Sequence, residues 1–393
     1  METNKIRLGE IATYVNGYAF KPKDRGNVGL PIVRIQDLTG NARDVGFYNG
    51  EYPKKIEINN GDILISWSAS LGVYVWNKGK ALLNQHIFRV VFDKGEIDKS
   101  FFVYAVRQKL KEMGTKTHGA TMKHIVKKDF DAIEIPYPQI NRQIEIARNM
   151  DKISSVIEKK ERQLKLLDDL IQSRFVEEFG DLKINPKKWK IKTFDEMTDL
   201  ITDGEHATPR RTEEGIYLLS ARNIMNHTIK LEDVDYIDQA EYDRISKGIH
   251  PKEGDVLISC SGTVGRCCSV PAELKFQMVR SVALLRFKNE INPIFAEYMI
   301  TSDYLKEQID RSKTQSSQAN LFQGKIKKLK GFVPPIDLQN QFAAFVQQVN
   351  KSKFVIHKFL YCFIDNKQSI IKPRLNTKES GKIRGGKPHA DEF

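Results

Sequence analysis

The sequence has little cysteine and no long apolar run. Its four cysteines among 393 residues are Cys260, Cys267, Cys268 and Cys362, a spacing that fits neither a zinc ribbon nor a redox Cys-x-x-Cys pair. We expect them to be buried free thiols. No apolar stretch approaches the roughly 18 residues needed to cross a bilayer. Residues 1–7 contain no apolar signal-peptide core, so we expect a cytoplasmic protein.

Catalytic motifs are missing or incomplete. The eight histidines are scattered, without a Ser-His-Asp or metal-ligand spacing. An adenine methyltransferase needs Asn or Asp before Pro-Pro-Tyr/Phe, and the nearest stretch, residues 135–138, lacks that side chain. The Gly-rich run at 381–387 is followed by Pro388, where a phosphate-binding loop requires Ser or Thr for magnesium. We therefore predict no catalytic site and no bound metal.

What the sequence has in excess is positive charge. Its 63 Lys and Arg residues outnumber its 50 Asp and Glu residues, which gives a formal net charge of +13. Such a surplus attracts a polyanion and releases its counterions. Nucleic acid is therefore the leading class of partner, while an acidic protein and a membrane surface remain alternatives.

The chain is a tandem duplication of a unit of about 190 residues. The clearest pair is Gly61–Ser66 and Gly254–Ser259, which differ only by Ile63 against Val256. Other pairs follow in the same order: Arg7–Ile11 with Thr193–Met197, Pro31–Leu38 loosely with Ile216–Ile224, and Asn84–Phe92 with Val279–Phe287. The period is far above that of solenoid repeats, so whole domains are duplicated.

The duplication weakens a nuclease interpretation. Asp255, Glu273 and Lys275 follow in the order found in metal-dependent endonucleases, but the first copy has Lys78 and Lys80 in place of the second and third of them. We expect these side chains to serve turns and surface solvation.

Each copy begins with short strands separated by Gly, Asn and Asp. In the first copy the patterns predict strands at Leu30–Ile35, Ile63–Trp67 and Ile87–Phe92, and a helix from about Ser100 to Met113. The fold class is mixed α/β or α+β. Gly-Asp before an apolar strand predicts a turn leading into a core strand.

Each copy ends in a long helix, at residues 141–180 and 336–371, with Asn141 and Asp337 as N-caps and Gly180 and Pro373 as stop signals. Some 35 residues make a rod of roughly 50 Å. Heptad steps predict the following helix-pairing residues: Met150, Ile153, Ile157, Leu164, Leu167 and Ile171 in the first helix, and Phe342, Phe345, Val349, Ile356, Phe359, Phe363 and Ile370 in the second. We expect an antiparallel coiled coil with pseudo-two-fold symmetry; the alternative is that each helix packs on its own domain.

These motifs resemble those of a known family. Two globular domains alternate with two long helices, Gly-Asp-Ile/Val-Leu-Ile-Ser occurs in each domain, and Ile135-Pro136 and Val333-Pro334 precede the helices. Residues 201–209, which include Asp203-Gly204, are similar to a stretch that often opens a target-recognition domain. The chain resembles the specificity subunit of type I restriction-modification enzymes.

The repeat analysis divides the chain into recognition domains at 1–140 and 181–335 and spacer helices at 141–180 and 336–371, and we expect the basic tail at 372–393 to be disordered. The resemblance implies a role for each part. Each domain would read one half of a split, asymmetric DNA target. The helices would set the spacing between the halves and bind two adenine-N6 methyltransferase subunits, which restriction subunits then join. S-adenosylmethionine, ATP and magnesium are expected on those partners and no cofactor on this chain.

Direct readout of DNA requires polar or cationic side chains on loops. The first-domain candidates are Lys21, Arg34, Gln36, Ser66, Ser68, Gln85, His86, Lys116, His118 and Lys123. The second-domain candidates are His206, Arg210, Arg211, Ser220, Arg222, Asn223, Ser261, Arg280, Ser281, Lys313, Gln315, Ser316 and Asn320. The strongest reason for choosing them is that the polar loops 115–124 and 312–320 occupy equivalent places in the two copies. The alternative function is a coiled-coil adaptor whose globular ends bind proteins.

Overall fold

The computed structural model describes residues 4–115, 125–312 and 320–371, without the side chains of 114–115 and 364–371. Over these residues the chain forms two compact units, one made of the residues up to Glu161 with the segment from Lys358 onwards, the other of Arg162–His357. No helix in the described part of the chain is long and apolar enough to span a membrane.

The first unit consists of ten short strands, four short or medium helices and half of each long helix. Its strands are β1 (Lys5–Arg7), β2 (Thr13–Asn16), β3 (Leu30–Val33), β4 (Phe47–Tyr48), β5 (Glu57–Ile58), β6 (Ile63–Ser66), β7 (Gly72–Val75), β8 (Ala81–Leu83), β9 (Ile87–Val91) and β10 (Glu134–Pro136). Its helices are α1 (Leu8–Ile11), α2 (Ile35–Thr39), α3 (Lys99–Thr115), α4 (Lys127–Asp131) and the start of α5 (Ile140–Phe179). Two 3₁₀ turns lie at Pro22–Asp24 and Lys54–Ile56.

Two four-stranded sheets organise the first unit, in the orders β2-β9-β6-β7 and β4-β3-β8-β5, and β1 pairs with β10. All pairs are antiparallel except β3 with β8. One core lies beneath α1 and α3, where Phe101, Phe102 and Phe130 are fully buried. A second core lies between the sheets. The predicted strands and the predicted helix are confirmed within two residues at each end, and the unit is α+β.

The second unit repeats this plan. Its strands are β11 (Lys190–Thr193), β12 (Thr198–Asp203), β13 (Ile216–Leu219), β14 (Ile224–Met225), β15 (Thr228–Ile229), β16 (Asp235–Ile237), β17 (Val256–Ser259), β18 (Cys267–Ser269), β19 (Phe276–Met278), β20 (Val282–Phe287) and β21 (Lys330–Val333). Its helices are α6 (Phe194–Met197), α7 (Gln239–Ser246), α8 (Pro293–Ile300), α9 (Asp303–Ser312), α10 (Gln323–Ile326) and α11 (Ile336–Ile371), whose last part belongs to the first unit.

Strand order confirms the duplication. The sheet β12-β20-β17-β18 has the order of β2-β9-β6-β7, the pair β11-β21 matches β1-β10, and β13 runs parallel to β19 as β3 does to β8. The strands β6 and β17 that follow Gly-Asp are buried at all four positions. The second unit adds the hairpin β14-β15 and helix α7.

The Gly-Asp motif makes the same turn in both units. Gly61 and Gly254 have φ of +89° and +81°, a left-handed conformation that favours glycine. The aspartate side chain then accepts a hydrogen bond from the backbone N–H three residues earlier, at 2.7 Å for Asp62 and 2.8 Å for Asp255. The predicted turn into a core strand is confirmed.

Both long helices carry a buried glutamine in their first turn. Gln143 Oε1 accepts from the Asp98 N–H at 3.0 Å, and Gln339 Oε1 accepts from the Asn292 N–H at 2.9 Å. Each amide also donates to the proline carbonyl five residues earlier, at 2.8 Å. These bonds fix the direction in which each helix leaves its unit.

The predicted N-caps are wrong by a small shift. The helices begin at Ile140 and Ile336, so Asn141 and Asp337 lie inside the first turn and cannot cap it. At the other end of α5 the prediction is confirmed: Gly180 has φ of +81° and donates its N–H to the Val176 carbonyl at 2.8 Å. Pro373 lies outside the described residues.

Helices α5 and α11 pack antiparallel. The contacts that join them are Phe175 with Phe342 at 5.4 Å between rings and Asp168 with Lys353 at 2.6 Å in the second unit, and Lys160 with Phe359 at 5.6 Å in the first. The predicted pairing residues are buried or half-buried, except that the side chain of Ile370 lies outside the described part. Sequence reasoning missed Phe179, which is fully buried against Phe342.

Candidate DNA interface

Three loops come together at one edge of each unit; in the first unit they contain Tyr18, Leu83–His86 and Trp67. In the first unit the Tyr18 N–H donates to the Leu83 carbonyl at 2.8 Å, and the Trp67 N–H donates to the His86 carbonyl at 3.2 Å. In the second unit the Glu205 N–H donates to the Met278 carbonyl and the Cys260 N–H to the Ser281 carbonyl, both at 2.8 Å. Matching backbone hydrogen bonds therefore give Trp67 and Cys260 equivalent positions in the two copies.

The second unit presents two adjoining clefts at this edge, and both include Ser261 and Ser281. The first cleft, of about 550 Å³, is also lined by Ser220, Ala221, Arg222, Met225, Gly262, Thr263 and Arg266. The second, of about 420 Å³, is also lined by Asp203, His206, Cys260, Arg280, Asn320, Leu321 and Phe322. The structure thus brings together seven of the predicted residues: His206, Ser220, Arg222, Ser261, Arg280, Ser281 and Asn320.

Charge is distributed unevenly along these clefts. Arg222 pairs with Asp235 at 2.8 Å, whereas Arg280 is exposed and makes no ion pair within the described residues. The Arg266 guanidinium lies 3.2 Å from the Met225 sulfur. Arg280 is therefore the cation most available to a phosphate or a base edge.

The second cleft also contains a carboxylate. Asp203 ends strand β12, and the imidazole Nε2 of His206 lies 3.8 Å from Asp203 Oδ2. Burial raises the pKa of the Asp203 carboxyl, and His206 offsets only part of this effect. This side chain is missing from the predicted candidates.

The first unit presents a different surface at the same edge. The Trp67 ring stacks on Phe88 at 5.5 Å and meets His86 edge-on at 4.9 Å, while its Nε1 donates to Asn16 Oδ1 at 3.2 Å. Among the predicted residues beside it, Gln85 is exposed and His86 and Ser68 are half-buried. Lys21 and Gln36 are exposed on neighbouring turns.

Several predicted candidates have structural roles instead. Ser66 is fully buried and donates its hydroxyl to the Ser70 carbonyl, so it cannot reach DNA. Asn223 is buried and its amide donates to the Lys230 carbonyl at 3.0 Å. Arg34 is bound by Asp37 at 3.1 Å and also pairs with Asp44. Burial contradicts the predictions for Ser66 and Asn223, whereas the half-buried Arg34 stays a prediction.

Two further candidates lie outside the clefts. Arg210 pairs with Glu241 at 3.5 Å, and Arg211 pairs with Asp235 at 3.0 Å, the same carboxylate that holds Arg222. Six candidates lie outside the described residues: Lys116, His118, Lys123, Lys313, Gln315 and Ser316.

Sequence reasoning missed Trp67, Asp203, Arg266 and Phe322. Backbone hydrogen bonds define the place of Phe322 in the repeat, because the Leu321 N–H donates to the Cys260 carbonyl as the Ile125 N–H does to the Trp67 carbonyl. Phe322 therefore occupies the position of Val126, and both side chains are exposed.

The three residues of the nuclease interpretation, Asp255, Glu273 and Lys275, do not form one cluster. Asp255 is buried, and Arg286 donates to both of its oxygens at 2.8 and 2.7 Å. Lys275 Nζ lies over the Tyr242 ring at 4.7 Å, and Glu273 occupies a turn with φ of +66°. Asp255 serves a turn, as predicted, but it is buried and paired with Arg286, so the prediction that it lies at the surface is wrong. The described residues contain no group of three His, Cys, Asp or Glu side chains that could hold a metal.

All four cysteines are free. Cys260, Cys267 and Cys268 are buried as predicted, but Cys362 is exposed because it faces away from the packed side of α11. Burial raises the pKa of the Cys260 thiol to about 12.

Residues 1–167 and 186–372 each match the family model of the type I restriction modification DNA specificity domain. The type I restriction enzyme EcoBI specificity subunit of Escherichia coli is 22% identical over 375 residues, covering 88% of this chain and 78% of that protein. The MjaVIII specificity subunit of Methanocaldococcus jannaschii is 20% identical over 323 residues, covering 76% and 74% respectively.

Solved structures share the fold. The S subunit of a type I restriction-modification system from M. genitalium superposes with a TM-score of 0.56 at 15% identity, over 94% of this chain and 95% of that one. A chain from a study of complex assembly and conformational transition in a type I system gives 0.54 at 15% identity, over 94% and 96%. The resemblance stated from the sequence is confirmed: the chain belongs to the type I restriction-modification DNA specificity family and carries two copies of its domain.

Proposed function

We propose that this chain reads a bipartite, asymmetric DNA target, with one half-site contacted by each unit. The observation that carries the proposal is the repeated loop edge. It is built on one backbone plan but holds different side chains in the two units, such as Trp67 against Cys260 and Gln85 against Arg280. Identical scaffolds with different polar groups are suited to reading different bases. The two half-sites should therefore differ in sequence.

The chain supplies recognition and its partners supply the chemistry. In this proposal adenine-N6 methyltransferase subunits carry S-adenosylmethionine, restriction subunits carry ATP and magnesium, and this chain binds no cofactor and works in the cytoplasm. Exposed apolar side chains on the long helices support subunit docking. Leu166 and Leu170 share one face of α5, and Phe354 and Val355 are exposed on α11.

Mapping N6-methyladenine across the genome of a host that expresses the chain with its methyltransferase tests the readout. We expect one bipartite motif with two dissimilar halves, and no such motif in a host that expresses the methyltransferase alone. Exchanging residues 1–140 for another recognition domain should change one half only. A change in both halves would contradict the assignment of one half-site to each unit.

Two biochemical assays separate recognition from docking. The complex should shift random duplex DNA at low salt, and failure to bind any duplex would favour the protein adaptor instead. Replacing Leu166 and Leu170 by Ser should weaken copurification of the methyltransferase, because the apolar surface that the methyltransferase is proposed to cover would be lost. Asp169→Ser, on the same exposed stretch of α5, is the control that should copurify normally.

A further inference from the structure

The 420 Å³ cleft of the second unit contains one acidic residue, Asp203, among its lining residues. Cys260 is buried at the cleft, whereas Arg280 and His206 are exposed beside it and Phe322 is 59% exposed. The cleft therefore combines a half-buried carboxylate, exposed cationic or polar side chains and a free aromatic face.

The two copies differ by a substitution at this cleft. In the first unit the equivalent of Cys260 is Trp67, whose indole donates to Asn16, and Asn16 occupies the place of Asp203 in the repeat. The small Cys260 leaves open the space that an indole occupies in the first unit. Asp203 consequently lacks the donor that Asn16 has.

A carboxylate on a DNA-reading surface requires an explanation. It repels phosphates, so it lowers affinity wherever it faces the backbone of DNA. Acidic side chains become favourable in a groove when they accept a hydrogen bond from an exocyclic amino group of a base. Burial already disfavours the charged form of Asp203, as its raised pKa indicates, and the only ion pair recorded for it within the described residues is with His206. A donor from outside the chain would relieve this cost.

We propose that the cleft at Asp203 reads one base pair of the second half-site, with the carboxylate accepting a hydrogen bond from the amino group of a cytosine or an adenine in the major groove. Phe322 packs against the neighbouring base or its methyl group, as apolar side chains do in that groove. This inference rests on the proposed function and adds the chemistry of one recognised position.

Parallel selections from a random duplex library test it, using the complex of the full chain with its methyltransferase. Asp203→Ala, which removes the acceptor, should reduce the preference for C or A at one position of the second half-site about tenfold, and leave the first half-site unchanged. The same variant should bind random duplex more tightly, because a negative charge is removed. Loss of structure would instead weaken all binding.

Asp195→Ala is the matched control. It makes the same chemical change in the same unit, but Asp195 lies on α6, is exposed, and pairs only with Lys327 at 3.4 Å. It should keep every base preference. If Asp203→Ala also keeps every preference of the second half-site, the inference is wrong while the proposed function stands.

A second measurement does not depend on the folding of a variant. The wild-type complex is titrated with the selected duplex in which single cytosines are replaced by pyrimidin-2-one, or single adenines by purine, so that only the amino group is removed. Affinity should fall about tenfold at one position, and the base concerned identifies the donor. Equal binding to every such probe in the second half would overturn the inference, whereas a wild-type complex that binds no duplex would overturn the proposed function itself.

Discussion

The two units differ where their backbones match most closely. After the Gly-Asp turn both units place a buried strand at the centre of a four-stranded sheet, yet Asp255 pairs with Arg286 while the register position of Arg286 in the first unit is occupied by Val91. At the edge where the three loops meet, the large Trp67 of the first unit is replaced by the small Cys260 in the second. Backbone hydrogen bonds and turn geometry thus preserve the fold, and the side chains that project from it are free to diverge. Substitutions that exchange or remove those differing side chains test this comparison.

The largest effect is expected at the buried ion pair of the second unit. Arg286→Met leaves the carboxylate of Asp255 buried without a counter-charge, which should lower the free energy of unfolding by about 3 kcal/mol. Val91→Met makes the equivalent change in the first unit, where no charge is uncovered, and should cost less than about 1.5 kcal/mol. Urea denaturation followed by hydrogen exchange of each unit measures both. Equal losses would show that the ion pair contributes nothing beyond packing.

The next effect concerns the charge of the reading edges. Arg280 and Gln85 are equivalent residues, both exposed, and only the first can neutralise a phosphate. Arg280→Gln should weaken DNA binding about tenfold and reduce the salt slope by about 0.9, whereas Gln85→Arg should increase the slope by a similar amount. Binding titrations at several salt concentrations give both slopes. Unchanged slopes in the two variants would place these residues away from the backbone of DNA.

A smaller effect is expected from pH. In helix α7, which has no counterpart among the described residues of the first unit, the Arg244 hydrogen bond lowers the pKa of the Glu241 carboxyl to about 2. A depressed folded pKa stabilises the folded state above the unfolded value near 4.5, and this contribution is lost as pH falls from there towards about 2. Glu241→Gln should therefore flatten the acid side of the stability profile. Glu57→Gln, at a half-buried carboxylate paired with Lys80, is the control and should flatten it less.

Sequence patterns predicted the parts of this fold that depend on neighbouring residues. The turn at Gly254 and the long helices follow from local conformational preference and periodicity, which are readable along the chain. The cleft could not be predicted in that way. Its existence depends on the contrast between Cys260 and Trp67, and on Asn16 or Asp203 meeting that position from another strand. Strand order and the partner of Asp255 are likewise set by contacts between distant segments.

The smallest effect is expected in the labelling of the thiols, which reports opening of the second unit. Cys362 is exposed, whereas burial raises the pKa of Cys260 to about 12 and those of Cys267 and Cys268 well above the usual thiol value. Because the thiolate is the reactive form, iodoacetamide at pH 8 should modify Cys362 alone in the native protein.

Peptide mapping by mass spectrometry checks this pattern, and Cys362→Ser should leave a protein that takes up no label until it opens. Since residues 1–161 contain no cysteine, labelling of Cys362→Ser reports opening of the second unit only. In that background Arg286→Met should accelerate labelling, and Val91→Met should not. Acceleration by both would mean that the two units unfold together, and the side-chain differences between them would then not act locally.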